Sequence, residues 1–200
     1  MILENLGTAH DRKFEKEEKL ILEKIFKDDS AEFELAHEHL GNMLGFKAGK
    51  VESTGSPDPW WIVSANTCLV FEDHSDGDVG GRLHVNKARQ VASHPNWIRE
   101  NVPEAKNANI IPVLITPVKV ADPEALPHLK DVAVWNLGEF REWTKQALQV
   151  VRDLRRNFPG SGDLAWRATA AERFVVAQLD GASLVGFLST SRSADRVFKK

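Results

Sequence analysis

The stretch Ser56-Pro57-Asp58-Pro59-Trp60-Trp61-Ile62-Val63-Ser64-Ala65-Asn66-Thr67-Cys68-Leu69-Val70-Phe71-Glu72-Asp73-His74-Ser75-Asp76 holds two short apolar runs, 60–65 and 67–72, parted only by Asn66. Runs of this length, rich in β-branched and aromatic residues and bounded by turn formers, read as β-strands, and so brief a break makes them antiparallel neighbours. Asp58 stands before the first run and Glu72 closes the second, so a tight turn brings both carboxylates to one end of a sheet. Two carboxylates held that close repel each other unless a divalent cation joins them. A hard cation such as Mg²⁺ or Mn²⁺ takes oxygen ligands and keeps several waters, the arrangement used for phosphodiester hydrolysis.

Working outward, residues 11–27 carry Phe14, Ile21, Leu22, Ile25 and Phe26 at helical spacing among Glu and Lys, the pattern of an amphipathic helix. A second helix is expected from an N-cap at Ser30 through Phe33, Ala36, Leu40, Met43 and Leu44 to a stop at Gly45, with Glu34 and Glu38 one turn apart on its other face. Residues 47–53 read as a first strand, making a three-strand antiparallel meander, and 73–81 as an Asp- and Gly-rich loop. A short helix is expected over 85–92, with Pro95 opening another that carries Trp97 and Ile98. Residues 109–116 are apolar enough for a strand covered on both faces, although Pro112 points to an edge or a bulge. A further strand over 132–135 and a long amphipathic helix over 139–156 complete an α/β alternation. Residues 159–163 read as a linker, Thr169 and Glu172 as a capping box opening a helix to Leu179, and Asp180-Gly181 as the turn into a last one. That tail is too small for a core of its own.

Pro57-Asp58, thirteen residues, then Glu72-Asp73-His74 resembles the PD-(D/E)XK nuclease superfamily, and Phe33-Glu34 followed by Gly45-Phe46 is similar to the first helix of its Mrr-like restriction endonucleases. The resemblance covers roughly residues 30–157. It implies a restriction-endonuclease-like mixed β-sheet flanked by helices, with residues 1–28 as a helical extension, 29–158 as the nuclease-like domain and 159–200 as a helical tail. It further implies Asp58 and Glu72 as Mg²⁺ (or Mn²⁺) ligands, with Glu34 or Glu38 as a further metal contact from the helix. Lys87-Ala88-Arg89-Gln90 looks like the helix that supplies Gln90 near the metal in several branches. His74 stands where the family has the lysine that manages the attacking water. An imidazole, neutral about as often as charged near its reference pKa of ~6.5, can act as a base or mark a degenerate site, and Lys87 is the alternative source of the cation. The implied substrate is DNA, with RNA as the alternative. The implied setting is an effector of restriction or phage defence, with a helicase or sensor as partner and a homodimer to cut both strands. Two other readings stay open: a fold that has lost catalysis and binds nucleic acid or partners, and a hydrolase of small phosphorylated substrates.

Other features read as structure. Asp73, Asp76 and Asp78 lack the spacing and glutamate of an EF-hand and suit a solvated loop. His37 and His39 lack the His-Glu-x-x-His pattern of zinc proteases, and His84 and His94 read as surface or capping residues. Arg152, Arg155 and Arg156 offset a helix dipole. One ring of Trp60 and Trp61 is expected in the core, the other to stack on a base or cover the sheet. With 42% hydrophobic and 28% charged residues the chain should fold, and a net charge of −3 gives no general attraction to polyanions. Cys68 is the only cysteine, which excludes an internal disulfide and fits a reducing cytoplasm. Residues 1–12 lack the apolar core of a signal peptide, and no run reaches the ~20 residues that span a bilayer.

Overall fold

A computed structural model describes residues 4, 12–53, 55–191 and 198. The fold is α/β: a five-stranded mixed sheet in the order β1-β2-β3-β4-β5, with helices on both faces. β1 (Lys47–Gly49), β2 (Trp60–Ser64) and β3 (Thr67–Asp73) form the antiparallel meander, while β4 (Asn109–Thr116) and β5 (Ala133–Asn136) add in parallel. β1 is shorter than the run 47–53 suggested, because only three of its residues find partners on β2.

α1 (Arg12–Lys24) buries Phe14 and Ile21 against α2 (Ser30–Met43); Asp11, where the reading began this helix, lies outside the described residues. Asp29 rather than Ser30 caps α2, its carboxylate accepting the Glu32 N–H at 2.9 Å. The longer reach of a carboxylate one residue earlier serves the same orphan amide. The stop at Gly45 holds: its φ of +90° lets Phe46 N–H reach Gly41 O and Gly45 N–H reach Asn42 O, a Schellman ending.

α3 is one continuous helix, Val85–Asn101, with Pro95 inside it. Proline there forfeits a backbone bond, yet Ala88, Val91, His94 and Ile98 keep one unbroken buried face and carry the helix through. β4 is interior to the sheet despite Pro112. The pairing with β5 starts only at Val113, so at Pro112 the strand has a single neighbour, β3, and its missing N–H is tolerated. β5 runs straight into α4 (Leu137–Arg156), whose first amides are capped by Asn136. The tail folds as α5 (Leu164–Val176) and α6 (Gly181–Ser191). Asp163, assigned to the linker, is the cap of α5 at 2.7 Å from Trp166 N, and Thr169 lies in its interior.

The strands alternate sides. Trp61, Leu69, Phe71, Val113, Ile115 and Trp135 face α1, α2, α4, α5 and α6, while Trp60, Cys68, Val70, Leu114 and Val134 face the α3 side. The extension and the tail share the first of these clusters with the central segment through Phe14, Ile21, Trp166, Phe174, Leu184 and Leu188. Both Trp60 and Trp61 are buried, one on each face, so neither ring is free to stack on a base. Two of the arginines near the end of α4 are likewise committed internally, while Arg156 is exposed, 3.6 Å from Asp153 on the same helix. Arg152 grips Glu18 through two bonds, and Arg155 lies over Phe14 and Phe158. Among the described residues no helix is long and apolar enough to cross a membrane.

Candidate active site

β2 and β3 pair with Trp60 opposite Val70, and continuing that ladder by two residues sets Asp58 opposite Glu72. The continuation is real: Phe71 N–H donates to Pro59 O at 3.0 Å, and Asp73 N–H donates to Asp58 Oδ2 at 2.5 Å. Asp58 sits between two buried prolines, which fix their own φ and confine the residue before Pro59 to extended backbone. The aspartate is thus held rigidly at the C-terminal end of β3, where ligands of parallel α/β sheets are usually met.

The surrounding side chains form one group of three and three pairs. Glu72 is almost wholly buried, with Oε1 2.6 Å from Lys87 Nζ and Oε2 2.6 Å from His94 Nε2. Asp73 is not in the loop but is the last residue of β3. It is buried on the opposite face, 2.8 Å from His37 Nδ1. Glu34 Oε2 lies 2.6 Å from Lys50 Nζ. His74, half-buried, has Nδ1 3.1 Å from the Thr116 hydroxyl at the end of β4.

Charge is poorly balanced here. The Asp58 carboxyl is pushed up to about 9, first by burial and then by Asp73, Glu72 and Glu34. Asp73 is raised well above the usual carboxylate range by burial, Glu34 and Glu72, while burial takes His37 down to about 3. The His37–Asp73 contact is therefore a neutral hydrogen bond and not an ion pair. Burial works to raise Glu72 too, but His94 and Lys87 overcome it and hold the carboxylate below its ordinary range. Burial and Lys87 lower His74, which leaves it neutral at neutral pH.

The structure thus brings Asp58, Glu72, His74 and Lys87 to one strand end. Glu34, rather than Glu38, is the helix carboxylate whose charge acts on Asp58 and Asp73. Glu38 is half-buried one turn on, and its carbonyl accepts from Asn42. Gln90 is exposed one turn from Lys87, on the solvent side of α3. His84 is exposed as expected, at 2.8 Å from Asp122.

Besides Asp73, His94 departs from expectation, and His37 has a partner that its spacing did not announce. His94, placed at the surface, is buried beneath Glu72 because α3 does not break at Pro95; the i, i+4, i+7 stripe Lys87, Val91, His94 is its signal. His37 occupies the core stripe of α2 four residues after Phe33, and a histidine at a core position calls for a buried partner.

The donor set is all oxygen and suits a hard cation. Among the described residues no three His, Cys, Asp or Glu side chains form a closed metal cage. An ion held by one or two carboxylates and its own waters, as Mg²⁺ commonly is, needs no such cage. A groove of about 590 Å³ lies elsewhere, at the N-terminal ends of β4 and β5 between Arg99, Ile111, His128, Lys130 and Leu188. Comparisons with protein-family models, characterised proteins and solved structures found no match for the chain.

Proposed function

We propose that the chain is a metal-dependent nuclease domain that hydrolyses DNA phosphodiester bonds, with Asp58 and Glu72 as Mg²⁺ or Mn²⁺ ligands. The observation that carries this reading is the charge imbalance at Asp58, a carboxyl fixed by the Asp73 N–H and pushed up to about 9 by burial and by Asp73, Glu72 and Glu34. Buried carboxyls displaced this far cluster at functional sites, and a divalent cation is the compensation this donor set suits. Such an ion polarises a phosphoryl oxygen and lowers the pKa of bound water.

The chain's own residues divide the remaining work. Asp58 and Glu72 hold the ion from opposite strands, and Glu34 adds negative charge behind them. Lys87 supplies the cation that the resemblance places two residues after Glu72; its ammonium is positioned against Oε1 of that glutamate for a phosphate oxygen. His74, kept neutral by burial and Lys87, is the base of this reading in the tautomer that donates Nδ1–H to the Thr116 hydroxyl and leaves Nε2 to accept a proton. Gln90, exposed on the same helix, contacts substrate rather than the ion. The wider setting we propose is an effector of restriction or phage defence, in which a helicase or sensor delivers DNA and a homodimer cuts both strands; RNA is the alternative substrate.

Supercoiled plasmid incubated with Mg²⁺ or Mn²⁺ tests the reading. Nicking by the wild type and none by Asp58→Ala is the expected result, and an inactive wild type or an equally active variant overturns it. One observation favours a second reading, a catalytically degenerate module that binds nucleic acid or assembles with partners. Both oxygens of Glu72 are already engaged, by Lys87 and His94. Calorimetric titration with Mn²⁺ separates the two, because only the catalytic reading expects uptake that is lost in the Asp58→Ala, Glu72→Ala double variant.

A further inference from the structure

The last two residues of β3 point to opposite faces of the sheet, and each meets a buried histidine from the helix on that face. From α3, His94 is 1% exposed and presents Nε2 to Glu72 Oε2 at 2.6 Å. From α2, His37 is fully buried and presents Nδ1 to both oxygens of Asp73, at 2.8 and 3.1 Å. Its ring is walled by Trp61, Phe71 and Phe140, with centroids 4.9, 4.3 and 4.9 Å away. In each ring the other nitrogen, His94 Nδ1 and His37 Nε2, is buried with no hydrogen-bond partner among the described residues.

An idle buried nitrogen is unfavourable. If these positions only filled space, Leu, Met or Phe would fill them without that penalty. What the imidazoles offer beyond volume is a directed hydrogen bond to a carboxyl group, that of Glu72 for His94 and that of Asp73 for His37. The two bonds also converge on the candidate site by different routes. His94 fixes the carboxylate of Glu72 directly, on the oxygen that Lys87 leaves. His37 fixes Asp73, whose backbone N–H holds Asp58.

We infer that His94 and His37 form a two-sided clamp on the end of β3 and act as positioning residues for the cation ligands Glu72 and Asp58. The inference rests on the reading of those carboxylates as ligands. Neighbours that orient ligating groups in this way are worth about 10–100-fold in metal affinity. The histidines touch no substrate and no ion, so neither is a catalytic residue.

Titration of the full chain with Mn²⁺ by calorimetry, beside its thermal midpoint, tests the clamp. His94→Met, of similar size but without the donor, should weaken Mn²⁺ binding about 10–100-fold with little change in midpoint, and His94→Gln, which keeps an N–H donor, should recover most of the affinity. His37→Met should weaken binding by a smaller factor, because it acts through Asp73. Independently of any variant, Mg²⁺ added to the wild type should shift the imidazole nitrogen resonances of His94 and leave those of His128, half-buried on the wall of the distant groove, in place. Wild-type affinity in His94→Met, or His94 signals that ignore a cation calorimetry shows to bind, overturns the clamp. A wild type that takes up no Mn²⁺ overturns the reading of the site itself, and the clamp with it.

Discussion

The two ends of the sheet differ in what they bury. At the N-terminal ends of β4 and β5 lies an open groove of about 590 Å³, with Arg99, His128 and Lys130 on its wall. At the C-terminal end of β3 the chain instead gathers four carboxyls, three histidines and two lysines, and Asp58 and Asp73 cannot ionise freely there. Concavity is the usual first guide to a site. Here the stronger guide is unfavourable burial, because charge is kept out of water only where something compensates it.

The sharpest way to break this contrast is to cut at the acidic end. Glu72→Ala should lower plasmid nicking by on the order of 10³-fold, the several kcal/mol of transition-state stabilisation that a held cation supplies. It should also release Lys87 and His94 from their shared partner. Lys87→Met should cost about 10²-fold in kcat, the scale for removing one preorganised charged donor, while Mn²⁺ affinity holds or tightens as Glu72 loses its competitor. An unchanged kcat would move the cationic role away from this lysine.

Stability should respond in the opposite direction. The Asp58 carboxyl binds its proton more tightly in the folded state, at about 9 against 3.8. Its contribution is therefore complete below about pH 4 and is lost as pH rises through 9. The metal-free protein should lose thermal stability between pH 5 and 9, more shallowly in Asp58→Asn. At pH 8 that variant should melt about 2–4 °C above wild type for each ~1 kcal/mol of relieved burial, although it is inactive. A wild-type midpoint flat in pH would contradict the charge balance described for this end. The smallest effect belongs to the groove: Arg99→Ala and Lys130→Ala should leave nicking within about twofold and stability within about 0.5 kcal/mol, as surface substitutions do. A large loss of nicking there would extend the functional surface across the molecule.

Much of the sheet was legible because its signals are local. Asn66 between two apolar runs makes a hairpin, and the near-continuous apolar run of β4 announces burial on both faces. Asp58 and Glu72 could be paired for the same reason, since a hairpin's register is arithmetic. What escaped depends on packing between distant elements. Pro95 is a breaker by its own chemistry, and only the buried face formed with β3 and β4 carries α3 past it. With the helix broken, His94 could not be projected onto Glu72. Asp73 looked solvated beside Asp76 and Asp78, but the parallel ladder of β3 with β4 extends to its pairing with Ile115 and draws it inside. Thr169 and Glu172 imitate a capping box, whereas Asp163 takes the capping role with a bond that only geometry reveals.

The bond from the Asp73 amide to Asp58, at 2.5 Å, joins the backbone of one strand to the carboxyl that precedes another. A buried amide proton donated to a carboxyl should resonate downfield and exchange slowly with deuterium. Anything that changes the charge of Asp58 must move that signal, so the molecule carries its own internal reporter: one backbone resonance, remote from solvent, on which occupancy of the site can be read without a label or a substrate.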